Sequence, residues 1–177
     1  IQEYKKIKKL FSDQQQILMN IKTKNKILSD NLRLNILMEL SNSNNISPKL
    51  KIKNASINSK EIKKDNVFFA IKGKNKDGNL FVKEAFANGA SLAIVNNQKK
   101  SKEKIVVKDT LKFLTDASSI LRENLSTKII SITGSCGKTS LKELVGKSLC
   151  KISQTTYSPK SFNNKFGVPL SLFNLKK

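Results

Sequence analysis

Residues 129–144 read IISITGSCGKTSLKEL, and this stretch decides the fold of the second half of the chain. The β-rich run at 128–133 (KIISIT) is expected to form a strand, and residues 138 to about 150 read as a helix. Between them lie Gly134, Ser135, Cys136, Gly137, Lys138, Thr139 and Ser140, the candidate phosphate-binding loop. Gly134 and Gly137 permit backbone angles and a close approach denied to any residue with a Cβ. The N–H groups around them, with the helix N-terminus, form a nest for the oxygens of a triphosphate. Lys138 can place its ammonium between the β- and γ-phosphates and is the candidate catalytic residue. Thr139 offers a hydroxyl to Mg2+. The commoner pattern has a further Gly five residues before the second one, where this chain has Ile132. The loop is therefore a shorter form, Thr133-Gly134-x-x-Gly137-Lys138-Thr139. A plain strand–helix turn that ends in Lys-Thr is the alternative, and the strand and helix on either side favour ATP.

The two cysteines have modest expectations. Cys136, at a helix N-terminus beside Lys138, has an environment that favours the thiolate, but its simplest role is a small filler in the loop. Cys150 is expected in the core at the helix end.

Upstream, the pattern is a regular alternation of short apolar runs and helical spacings. A helix is expected over 31–40, with Leu32, Leu34, Ile36, Leu37 and Leu40 apolar, then a polar loop at 41–47 before Pro48. Strands are expected at 50–57, 67–71 (VFFAI), 92–95 and 105–107. A helix over 80–88 stops at Gly89. Another runs from a cap at Asp109 or Thr110 to about Glu123, with Leu111, Leu114, Ala117, Ile120 and Leu121 facing inward. Strands alternating with helices predict parallel sheets in both halves. The expected organisation is an extension at 1–28, a small mixed α/β domain at 29–108, and the start of a P-loop parallel-sheet ATPase domain at 109–177.

Composition narrows the function classes. The 177 residues include 34 Lys+Arg against 13 Asp+Glu, a formal charge of +21, with no His. Without His there is no Ser-His or Cys-His catalytic pair. Two cysteines make neither a disulfide framework nor a Cys-based zinc site. The basic residues are 32 Lys and only 2 Arg, Arg33 and Arg122. Arg is the side chain suited to forked recognition of bases and phosphates, so the charge reads as a compositional bias rather than a nucleic-acid interface. A basic nucleic-acid-binding P-loop fragment is the rival reading. No apolar run approaches the roughly 20 residues of a membrane span, and a cytoplasmic, monomeric protein without membrane insertion is expected. The first residue is Ile rather than Met.

The loop TGSCGKTS at 133–140 and the segment SFNNKFGVPLSL at 161–172 together resemble the Mur ligase family, the ATP-dependent amino-acid ligases of peptidoglycan precursor synthesis. The pairing is most similar to the branch that adds D-alanyl-D-alanine to UDP-N-acetylmuramoyl-tripeptide, with the tripeptide-forming branch as the alternative. Asn58-Ser59-Lys60 and the run VFFAIKGKNKDGNLFVKEAFANGASLAIV at 67–95 resemble that family's uridine-nucleotide-binding domain, whose pattern is approximately DSR, FxAxxG, DGHxF and GA before a strand. The resemblance spans roughly residues 50–175. Asn58, Lys60 and Asn79 stand where the family usually has Asp, Arg and His, and Lys60 keeps a charge but loses the guanidinium fork.

The resemblance implies ATP and Mg2+ as cofactors. UDP-N-acetylmuramoyl-tripeptide and D-alanyl-D-alanine are the implied substrates, and Ser59, Asn163 and Asn164 the substrate-binding residues. It also implies an acyl-phosphate intermediate. An acidic Mg2+ ligand, a His and a C-terminal amino-acid-binding domain belong to later parts of such enzymes, so the 177 residues alone are expected to lack ligase turnover. Residues 1–24, with Phe11-Ser12-Asp13, resemble the end of the tripeptide-forming ligase, which implies a fusion of two ligases; a divergent Lys-rich extension is the equal alternative.

Overall fold

The computed structural model describes residues 31–73, 76–99, 101–125, 127–158 and 165–175. The extension expected at 1–28 and the pair Asn163-Asn164 lie outside the described residues. The described elements are helices α1 (Leu32–Ser41), α2 (Val82–Ala87), α3 (Thr110–Glu123), α4 (Lys138–Leu149) and α5 (Gly167–Phe173), with strands β1 (Asn54–Ser56), β2 (Asn66–Phe69), β3 (Ala90–Val95) and β4 (Lys104–Val106). The strands form one sheet in the order β1-β2-β3-β4, every pair parallel. Parallel neighbours usually need a dozen or more residues to return. Here β1 and β4 are three residues long, roughly 10 Å, so the loops at 57–65 and 96–103 suffice without a full helix.

Alternation along the strands sorts the side chains onto two faces. Val67 and Phe69 of β2, with Leu92 and Ile94 of β3, face a large core shared with α1, α3 and α5. Phe68, Ala70, Ala93 and Val95 face the other way, onto Val82 and Ala85 of α2 and onto Ile62. A sheet covered on both faces explains why these strands read as continuous apolar runs.

α3 begins as expected. The Asp109 carboxylate accepts from the N–H groups of Leu111 and Lys112, both at 2.9 Å, satisfying two of the four orphan donors at a helix start. Thr110, Phe113, Leu114, Ala117, Ser118, Ile120 and Leu121 are its buried residues, whereas Leu111 is half-buried. The helix expected to open the second domain thus packs into the core of the first sheet. Gly89 stops α2 with φ +102, and a Cβ there would lie 3.2 Å from the backbone N of Lys64.

Two expectations in the second half are corrected. Residues 128–133 form no strand; Ile129 and Ile130 are 45% and 61% exposed. An extended segment becomes a strand only by pairing its N–H and C=O groups, and no described segment lies paired beside it. Cys150 is exposed rather than in the core, because α4 buries only Gly146, against the ring of Tyr157.

Candidate functional site

The phosphate loop has the backbone that an anion nest needs. Gly134 has φ +150 and Gly137 φ +75, and Gly137 is the left-handed N-cap of α4, with no side chain capping the helix start. A Cβ on Gly137 would meet nothing within 4 Å, so the left-handed angle, not space, favours glycine there. The first turn of α4 carries no acidic residue, which leaves the positive end of its dipole uncompensated. Lys138 folds back across the loop; its ammonium donates to the carbonyl oxygen of Gly134 and to that of Ser135 at 3.2 Å. Ser135, Cys136, Thr139 and Ser140 are exposed around it. The structure therefore brings together all seven loop residues that the sequence singled out.

Among the described residues no three His, Cys, Asp or Glu side chains gather into a metal-binding group. The exposed Thr139 hydroxyl, next to Lys138 at the helix start, fits one position on Mg2+, an ion that takes phosphate oxygens and water for most of its shell.

A second set of groups lies at the carboxyl ends of the parallel strands, where open α/β sheets bind ligands. After β1, the Asn58 side chain accepts from the Lys60 N–H at 3.1 Å and caps a short 3-10 turn over Ser59–Glu61. Ser59 is buried, its hydroxyl donating to the Glu84 carboxylate at 2.6 Å while its carbonyl accepts from the Asn88 amide at 3.0 Å. Lys60 is the exposed member of the triplet. Ser59 is thus held from α2, and its role in any binding includes fixing this turn.

After β2, the chain turns back on itself and enters a 3-10 segment at Gly78–Phe81. The Asp77 carboxylate accepts from the Asn79 N–H at 2.9 Å and from its side-chain amide at 2.6 Å. That amide also donates to the Asn96 side chain, and its oxygen accepts from the Asn96 N–H at 3.2 Å. The Asn79 carbonyl accepts from the Gln98 side chain at 3.2 Å. Asn79, standing where the resemblance expects His, therefore ties the loop after β2 to the loop after β3. An amide can do this because it donates and accepts at once.

Hydrogen bonds from the Asn79 backbone, and then from its side chain, hold the Asp77 carboxyl below the usual range. The Lys53 side chain does the same for Asp65, with N–O at 2.7 Å. A carboxyl whose pKa is depressed by folding stabilises the fold above its unfolded value of about 3.9, and that contribution disappears as pH falls through the folded value. The thermal midpoint of the chain is expected to drop below about pH 4, and an Asp65→Asn/Asp77→Asn variant to show a flatter decline in that window. Parallel pH curves for the two proteins would contradict this.

Ile71, Lys72, Asn96, Lys108, Asp109, Thr110 and Leu111 line a cleft of about 230 Å3 at the ends of β2, β3 and β4. Thr110 fixes one wall by donating its hydroxyl to the Ala70 carbonyl at 3.0 Å. Lys72, Asn96 and Lys108 were not singled out from the sequence. The only signal for them is position, each lying just beyond an apolar run that forms a parallel strand. Among the described residues no helix is long and apolar enough to cross a membrane.

Comparison with known proteins finds a family match that covers the strand-end groups and ends before the loop at 134–140. A family described as "Mur ligase family, catalytic domain" matches residues 51–124. UDP-N-acetylmuramoyl-tripeptide--D-alanyl-D-alanine ligase of Buchnera aphidicola is 38% identical over 114 residues, 63% of this chain and 25% of that protein. UDP-N-acetylmuramoyl-L-alanyl-D-glutamate--2,6-diaminopimelate ligase of Rickettsia montanensis is 41% identical over 99 residues, 55% of this chain and 21% of that protein. Among solved structures, MurF from Acinetobacter baumannii superposes with a TM-score of 0.67 at 31% identity, covering 80% of this chain and 32% of that one. MurF ligase from Thermotoga maritima in complex with ADP gives 0.59 at 32% identity, covering 74% and 31%. The chain thus spans about a quarter of these curated relatives and about a third of these solved chains.

Proposed function

The chain belongs to the Mur ligase family, and from that premise we propose that it is the part of an ATP-dependent ligase that holds the uridine nucleotide of the substrate and the triphosphate of ATP. The reaction is the joining of D-alanyl-D-alanine to UDP-N-acetylmuramoyl-tripeptide in a cytoplasmic, monomeric enzyme. The observation that carries the reading is the loop at 134–140, with two glycines at positive φ, an uncapped helix start and Lys138 folded over it. The ADP bound by the similar Thermotoga ligase supports the same assignment.

In this reading the peptide carboxylate attacks the γ-phosphorus of ATP, giving an acyl phosphate and ADP. The incoming amine then attacks the acyl carbon, and phosphate leaves through a tetrahedral intermediate. Lys138 leaves its carbonyl partners to meet the β- and γ-phosphate oxygens, and the loop N–H groups stabilise the charge that develops there. The Thr139 hydroxyl would hold Mg2+, which would supply further neutralisation of the phosphate charge. The cleft at the strand ends, with Lys72 and Lys108 in its lining, takes the uridine diphosphate end, and Ser59, Asn163 and Asn164 complete the substrate side. The proposed division keeps the uridine-nucleotide part upstream of the loop at 134–140, and α3 and α5 both pack on its sheet.

Calorimetric titration of the chain with UDP-muramoyl-tripeptide tests this reading. Saturable one-to-one binding is expected, weakened about tenfold by Lys108→Ala through loss of one charge-assisted contact. Absence of binding would overturn it. Tighter binding of UDP-muramoyl-dipeptide would move the chain to the tripeptide-forming branch, to which the Rickettsia relative belongs.

A further inference from the structure

The hydrogen bonds around Asn79 run in one direction, and groups that cannot reverse their role fix that direction. The Asp77 carboxylate only accepts, so the part of the Asn79 side chain facing it, 2.6 Å away, is the NH2. The Asn96 N–H only donates, so the part facing it, at 3.2 Å, is the Asn79 oxygen. The Asn79 NH2 also reaches the Asn96 side chain, which must therefore present its oxygen there. At the other end, the Lys104 ammonium, a donor alone, takes the Gln98 oxygen at 3.1 Å. The Gln98 NH2 is left to donate to the Asn79 carbonyl at 3.2 Å. The orientation of all three amides thus follows from a carboxylate, an ammonium and a backbone N–H.

One pair of donors is left over. With its oxygen given to Asn79, half-buried Asn96 keeps two side-chain N–H groups, and among the described residues nothing accepts from them. Asn96 lines the cleft at the strand ends together with Lys72 and Lys108. The other polar side chains of the lining are engaged. The Thr110 hydroxyl donates to the Ala70 carbonyl at 3.0 Å, and one Asp109 oxygen accepts from the N–H groups of Leu111 and Lys112. Apart from the second Asp109 oxygen, the lining therefore offers a ligand two ammonium groups and one NH2. All three are donors, a set that suits the oxygens of an anion.

We propose that Asn96 contacts the ligand of this cleft, its NH2 donating to a diphosphate oxygen of the uridine nucleotide, and that Asn79 is the positioning residue that keeps that end of the amide outward. The inference rests on the assignment of the cleft to the uridine diphosphate end. A reversed Asn96 amide would set a carbonyl oxygen against phosphate, and Asn79 excludes that repulsive orientation before the ligand arrives.

The test is calorimetric titration of UDP-muramoyl-tripeptide into the unaltered chain, Asn96→Ala, Asn79→Ala and the double variant. Asn96→Ala is expected to bind about tenfold more weakly, the usual worth of one charge-assisted hydrogen bond. Asn79→Ala should lose about threefold or more, the affinity being reduced by the fraction of Asn96 amides that face correctly. Because Asn79 acts through Asn96, the double variant should bind no more weakly than Asn96→Ala, whereas a merely structural role would multiply the two losses. NMR of the unaltered chain gives a readout that needs no variant to fold. The assigned Asn96 NH2 pair should shift on addition of UDP or inorganic pyrophosphate and stay in place with uridine. An unmoved pair at saturation, or unchanged affinity in a folded Asn96→Ala, overturns the contact, and multiplied losses overturn the role of Asn79. A shift with uridine but none with pyrophosphate gives Asn96 to the base and overturns the diphosphate contact. Failure of UDP-muramoyl-tripeptide to bind the unaltered chain at all instead overturns the functional reading.

Discussion

Gly78→Ala is expected to destabilise the chain by about 3 kcal/mol, the upper end of the penalty for overpacking a filled site. A Cβ at residue 78 would lie 2.6 Å from the backbone N of Ile71, 2.7 Å from the carbonyl carbon of Ala70 and 2.8 Å from its Cα. All three atoms are backbone at the end of β2, so no side-chain rotation relieves the overlap. β2 lies between β1 and β3, and moving its end disturbs both pairings. The thermal midpoint should fall by more than about 10 °C for a domain of this size. Gly73→Ala is the internal comparison: its Cβ would approach only the Lys76 carbonyl, at 3.3 Å, within the same turn. A midpoint for Gly78→Ala within a few degrees of the unaltered chain would contradict the close approach.

The second large effect is on binding rather than folding. Lys138→Ala is expected to weaken ATP or ADP binding on the order of 100-fold, since charge-assisted contacts to two phosphates are together worth about 3 kcal/mol. Stability should hardly change, because the ammonium contacts only the Gly134 and Ser135 carbonyls of its own exposed loop. Lys138→Arg should not restore binding: the planar guanidinium is wider than the ammonium and cannot occupy the same point between phosphates. Equal affinities in calorimetry for the unaltered and Ala proteins would refute the phosphate-loop reading.

These two residues also show how far the sequence can be read. Gly137 and the helix after it were legible because local chemistry determines them: a left-handed position that favours glycine and a helix start with no side-chain cap. The Asp109 cap and the Gly89 stop were legible for the same reason. The strand expected at 128–133 failed because β-structure is a property of pairs, and Ile129 and Ile130 have no paired strand among the described residues. Cys150 failed because α4, unlike α3, packs on no sheet among the described residues. The placement of α3 and α5 on the first sheet was hidden by long-range contacts. Nothing in the local pattern of Asn174 says that its amide will pair with Ala55, far away in sequence. Gly78 was read as part of a turn, and only the approach to the Ala70 backbone shows why no larger residue fits.

The central claim is that one chain holds two distinct nucleotide sites, one at the ends of the parallel strands and one at the loop 134–140. Paired titrations of the unaltered chain and Lys138→Ala with Mg2+–ATP and UDP-muramoyl-tripeptide test it most directly. The unaltered chain is expected to bind one of each, and Lys138→Ala to lose ATP while retaining the uridine nucleotide. Loss of both ligands in a folded Lys138→Ala, or competition between them for one site, would contradict it.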